Sequence, residues 1–374
     1  MAHAYTPGLK VTKKTIVRKE RKLPLKGNVL VKVGDEVEPD TIVAKTELPG
    51  DVQTINLAGK LGIMPDEVKD FILKKEGDPV EKDEVIAETK GLFGRFLKTQ
   101  IKSPVKGTIE TVSPITGQLI IREPPIPVQI DAYIKGKIVE VIENEGVIVE
   151  TVATFVQGIF GIGGETKGVI RRIVDKPSDP VTPDVIDDSL KGAIGIGGSI
   201  VTKEALDKAV KVGMSALVVG GIDDMDLKKF LGYEIGVAIT GNEQKGITLI
   251  ITEGFGKMNM SNKAFKLLTD SEGKHASVNG ATQIRAGVMR PEVIIPLEGE
   301  TGEDIEIKEA RGLEVGDLVR IIRAPYFGYI GKVVELPPEL QKIETEAKVR
   351  VLVVETDNGE RITLPRANVE IIEE

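Results

Sequence analysis

The sequence predicts a multidomain protein, mainly β with a central α/β domain, and three observations carry that expectation. A Gly-Asp turn leading into a short apolar strand occurs twice, at residues 33–46 and 76–89. Between residues 186 and 296 apolar residues stop alternating and form short unbroken runs separated by helical patterns, as in a sheet buried on both faces. From Leu313 onward alternation returns, broken by glycine-containing turns. The expected divisions are a β-domain over 1–175, a Pro-rich linker over 176–186, an α/β domain over 187–297, an acidic hinge over 298–311 and a small barrel over 312–374.

Composition narrows the chemistry. A chain of 374 residues exceeds what one hydrophobic core organises, and its hydrophobic fraction of 41% supports packed domains. No apolar run reaches the ~18–20 residues that span a bilayer, and the first residues lack the apolar stretch of a secretory signal. The expectation is a cytoplasmic protein without membrane association. Cysteine is absent, and the two histidines, His3 and His275, lie far apart, so no metal and no cofactor are expected. The net charge of −8 opposes indiscriminate phosphate binding. Within residues 1–26, however, Lys10, Lys13, Lys14, Arg18, Lys19, Arg21, Lys22 and Lys26 face only Glu20. That segment reads as a solvated basic strand or, alternatively, as a contact for an anionic partner.

In the N-terminal domain the two Gly-Asp segments share seven of 13 positions, and each reads as a turn, a polar link and a strand. Residues 103–122, SPVKGTIETVSPITGQLIIR, form a third related piece. Between the copies lies a helical insertion at 64–75. Pro65 suits the first helical position, Asp66 and Glu67 suit the first turn, and Val68, Phe71 and Ile72 share a face. Strands continue through residues 126–174, and Gly158–Glu165 reads as a Gly-rich turn or domain contact.

This grammar over residues 23–125 resembles the barrel-sandwich hybrid fold of biotinyl and lipoyl carrier domains and of an insert in RNA polymerase. In a carrier, the tip would bear a modified lysine. Here that tip falls at Leu48-Pro49-Gly50-Asp51, Lys45 sits inside a strand, and Lys90 lacks the carrier context. A carrier role is therefore not expected.

In the central domain, apolar runs at 192–198, 216–222, 237–241 and 248–254 alternate with helices opening near Thr202, Asp223 and Ser261. The runs end in Gly197-Gly198-Ser199, Gly220-Gly221, Thr240-Gly241 and Thr252-Glu253. In an open parallel sheet such ends share an edge where ligands collect. Asn279, Thr282, Gln283, Arg285 and Arg290 follow closely, and paired arginines suit carboxylate or phosphate. The competing reading is that glycines simply close tight turns. GIGG is neither a dinucleotide fingerprint nor a P-loop, and Glu243, Glu253 and His275 show no acid–base pairing, so no catalytic residue is assigned. Asp223, Asp224 and Asp226 fit a helix start better than a calcium loop.

The C-terminal stretch LEVGDLVRIIRAPYFGYIGKVVEL, with the strands at 348–372, resembles the KOW-type SH3-like barrel of the NusG factors and certain ribosomal proteins. The resemblance implies contact with RNA, the ribosome or transcription machinery through Arg320, Arg323, Tyr326, Phe327 and Lys332. Eight bases against twelve acids from Leu313 onward leave this module at −4, which favours a protein over a phosphate backbone. The expected role is a non-enzymatic adaptor or scaffold for a protein or ribonucleoprotein. Its rival is a binding protein or enzyme for a small anionic metabolite at the central strand ends.

Overall fold

The computed structural model describes residues 9–89, 98–233, 243, 245–282, 289–300, 313–321, 326, 329–342, 348–356 and 359–373. The protein is mostly β, in several sheets, with three α-helices of eight to ten residues against the central one.

The N-terminal repeat folds as two nested units. In the outer unit, Glu36–Val37 pairs with Gly136–Ile142. In the inner unit, Pro79–Val80 pairs with Gly107–Val112 in the same register. The local hydrogen bonds are duplicated as well. Asp35 Oδ2 accepts from Lys32 N at 3.0 Å, as Asp78 Oδ2 accepts from Lys75 N at 2.7 Å. Gly34 N donates to Ile138 O at 2.8 Å, and Gly77 N to Ile109 O at 2.7 Å. Both glycines take positive φ, 97° and 90°, which the turn requires and a side chain would resist. Residues 103–122 are thus not a third copy. They are the returning half of the inner unit, equivalent to the segment beginning at Ala132.

Each unit has its own core. Ile55, Leu57, Ile86, Ile109, Leu119 and Ile121 fill the inner one, and Val43, Tyr133, Ile138, Val147 and Phe155 the outer one. The inner unit leaves the outer one after Ile42–Leu48 and returns before Ile126–Asp131, where Glu123 N donates to Asp51 O at 2.9 Å. The expected tip at Leu48–Asp51 is therefore a junction between units. The expected helix at 64–75 is shorter, a 3₁₀ turn over Pro65–Asp70, with a separate α-helix at Leu57–Leu61. It stops there because Phe71 O accepts from Glu88 N at 3.0 Å and Ile72 bridges to Ala87, placing the next residues in β pairing.

The basic N-terminal segment forms the strand Leu9–Lys22, antiparallel to Gly146–Gln157. Its cations meet carboxylates of the same chain. Arg18 pairs with Glu150 at 2.6 Å, Lys19 with Glu292 at 2.6 Å, and Arg21 with Glu165 at 2.7 Å and Asp131 at 3.1 Å.

In the central sheet Glu165–Arg172, Ala193–Ile196, Ala216–Ile222 and Thr248–Phe255 run parallel. Every residue from Ala216 to Ile222 is buried, which explains the absence of alternation. His275–Asn279 and Glu292–Pro296 extend the sheet antiparallel and join it to Gly146–Gln157. Phe160–Ile162 and Glu165–Arg172, placed by sequence in the N-terminal domain, pair with central strands and contribute Phe160, Ile162 and Ile170 to the central core.

Helices Lys203–Val212, Asp224–Leu231 and Asn262–Thr269 start where the sequence places them, each capped by the expected side chain: Thr202, Asp223 and Ser261. Replacing Thr202 by alanine removes its bond to Ala205 N and is expected to cost about 1 kcal/mol in chemical denaturation. The expected strand at 237–241 lies outside the described residues.

The C-terminal module is an antiparallel meander of Leu318–Ile321, Ile330–Glu335, Lys348–Thr356 and Arg361–Pro365, whose last strand, Val369–Glu373, returns to pair with the first. Val319, Ile321, Val333, Leu352 and Val354 form its core. Leu9 and Lys10 pair with Ile372 and Glu373, tying the module to the N-terminal strand.

Candidate functional site

Among the described residues, three of the four strand ends expected to form a ligand edge come together, and other segments of the chain crowd their glycines. Residues 176–182, expected to be a linker, lie across it with Val181 fully buried. Ser199 donates its hydroxyl to Ser178 O at 2.9 Å and its amide to Asp179 O at 2.8 Å. A Cβ at Gly198 would sit 2.3 Å from Asp179 O, and one at Gly220 only 2.1 Å from Met258 O. Gly197 and Gly221 are crowded likewise, by Val181 and by Gly256 O. These glycines let other segments of the chain approach closely, so the room beside them is taken by Lys176–Asp179, Val181 and Gly256–Met260. A cavity of about 160 Å³, below the size of small-molecule sites, remains beside Thr252, Glu253 and Arg320.

Thr252 and Glu253 meet the C-terminal module. Thr252 donates its hydroxyl to Val219 O at 3.3 Å, and its carbonyl accepts from Arg320 Nη1 at 3.2 Å. The Glu253 carboxylate accepts from Ser261 N at 2.8 Å, beside the helix Asn262–Thr269, and pairs with Arg320 Nη2. Arg320 is 4% exposed and Glu253 5%. Arg320, expected to face a partner, is thus spent inside the molecule.

A second buried pair runs in the opposite sense, from Arg290 of the central domain to Glu370 of the module. Arg320 and Glu370 are cross-strand neighbours, so four charges, two from each domain, line one interface. Their mutual compensation is what makes burial tolerable.

The remaining candidates have separate roles. Asn279 accepts from Ala281 N at 2.8 Å and shapes its own loop. Thr282 is buried, and its hydroxyl accepts from Gly161 N at 2.8 Å, anchoring the strand Phe160–Ile162. Thr240, Gly241, Gln283, Arg285, Arg323 and Phe327 lie outside the described residues.

In the C-terminal module Tyr326, half-buried against the core, makes an edge-on ring pair with Tyr329, the centroids 6.0 Å apart. Tyr329 is 48% exposed, and Lys332 is also exposed. Tyr329 was missed from sequence, although its place two residues after Phe327 in the same bend marked it.

Among the described residues no group of three or more His, Asp or Glu is placed to hold a metal ion, and no helix is long and apolar enough to cross a membrane. No known protein family matches this chain, and no curated protein matches it either.

Proposed function

We propose that the protein is a non-enzymatic scaffold whose β-modules hold a protein partner, with the Tyr326–Tyr329 pair and Lys332 forming the contact. The observation that carries this reading is the crowded strand-end edge. The position where an α/β domain would bind a metabolite holds the protein's own backbone and the guanidinium of Arg320.

The barrel-sandwich and KOW resemblances support the same role, since modules of both kinds serve as binding platforms. A protein partner is favoured over RNA. The module carries an excess of acids, and Arg320, one of its few bases, is neutralised internally. An exposed tyrosine and an exposed lysine on one module suit a protein surface, where aromatic anchors supply contact area at low entropic cost.

The test keeps the chain intact. A photo-crosslinker at Tyr329 should give one discrete protein adduct in native lysate, lost in the Lys332→Glu variant, whose side chain lies in solvent. Filter binding to RNA should stay at background at both ~50 and ~200 mM salt. Turnover of a phosphate, nucleotide or organic acid that responds to Thr252→Ala would sink the scaffold reading.

A further inference from the structure

A cleft of about 720 Å³ opens between the outer N-terminal unit and the central sheet, lined by none of the residues of the C-terminal module's buried ion pairs. This volume lies in the range of small-molecule sites. Its floor is built from Ala276, Ser277, Pro296 and Leu297. Fixed contacts hold its walls together. Lys167 of the central sheet donates to Pro39 O at 2.8 Å, Asp40 at 2.6 Å and Asp131 at 2.6 Å. Ser277 donates to Tyr133 O at 2.5 Å, and Tyr133 holds a positive φ of 64°, a conformation a bulky side chain rarely takes.

Charged groups of two kinds line this cleft. Lys135 serves two carboxylates, Glu38 at 3.2 Å and Glu298 at 3.0 Å, leaving one negative charge in excess in that cluster. Comparison with the inner unit shows which part of this is ordinary. There Lys106 and Glu81 make the equivalent pair at 2.8 Å in open solvent, with no second carboxylate on Lys106 among the described residues. Glu298 is the addition. Lys274 and His275 line the same cleft, and among the described residues their side chains make no ion pair or hydrogen bond.

We propose that this cleft binds a small zwitterion, a free amino acid or short peptide, with its ammonium at the Glu38–Glu298 cluster, its carboxylate at Lys274 and His275, and its apolar part on Pro296 and Leu297. The acidic cluster is ready to receive a cation at neutral pH. The hydrogen bond and charge of Lys135 hold Glu298 below the usual carboxylate range, so it stays ionised until pH falls through that lowered value.

This proposal is independent of the scaffold reading, which places its contact elsewhere. The test is calorimetric titration of the full chain with the common free amino acids, dialanine, N-acetyl-dialanine and dialanine amide. At least one uncapped compound should bind. Acetylation of the amine should weaken it about tenfold or more, and amidation of the carboxylate likewise. Glu298→Gln should weaken the uncapped ligand but leave the N-acetyl form unchanged, and Lys274→Ala should spare only the amide. No binding by any uncapped compound at ~10 mM overturns the proposal, and so does equal affinity for capped and uncapped forms.

Discussion

Replacing Arg320 by alanine is expected to destabilise the protein by about 3–5 kcal/mol, because it strands the buried Glu253 carboxylate without its counter-charge. It also leaves Thr252 O without the guanidinium it accepts from. The effect should be largest where the domains meet. Amide exchange should accelerate in Leu318–Ile321 and around Ser261, whose amide donates to Glu253, before it changes in the inner N-terminal unit with its separate core. Joint replacement, Arg320→Met with Glu253→Leu, should recover most of the loss, since an apolar pair of similar volume removes both charges from a buried site. A midpoint shift in urea equivalent to less than about 1 kcal/mol for Arg320→Ala would mean that the interface is open to water, where ion pairs contribute little.

The second large effect is expected at Gly220. Its added Cβ would lie 2.1 Å from Met258 O, 2.7 Å from Met260 N and 2.8 Å from Gly198 O, all backbone atoms with no rotamer to yield. Gly220→Ala should therefore cost about 3 kcal/mol, the upper part of the range for overpacking. Gly34→Ala provides the contrast. Nothing lies within 4 Å of its Cβ, so only the positive φ of 97° resists the side chain, at about 1–2 kcal/mol. A cost at Gly220 no greater than at Gly34 would show that Gly256–Met260 can move off the strand ends, reopening the edge to ligands.

Local patterns were legible where one element decides its own shape. The caps at Thr202, Asp223 and Ser261 were readable because each side chain bonds an amide two or three residues away. The unbroken run Ala216–Ile222 was readable as a doubly covered strand because burial on both faces leaves no polar position. The nesting of the two N-terminal units was only half visible. The Gly-Asp copies stand out in sequence, whereas their returning halves share little beyond the isoleucines and Lys-Gly of 101–109 and 130–138. The inner return comes first along the chain, so sequence order shows it only as a third related piece.

The candidate site was the least legible part. Glycines at strand ends signal close backbone approach, but a glycine has no side chain to tell whether a ligand or another loop makes that approach. Sequence marks Arg290 as an anion binder and Arg320 as a partner contact, and folding places them in buried pairs with Glu370 and Glu253.

What the sequence by itself determined were the buried run Ala216–Ile222, the three capped helices of the central domain and the two Gly-Asp turns, because these follow from periodicity and from bonds spanning a few residues. Tertiary structure alone decided which charges are spent inside the molecule and which face the open cleft. A carboxylate's partner here lies 67, 80 or 163 positions away, and only folding brings the two within reach.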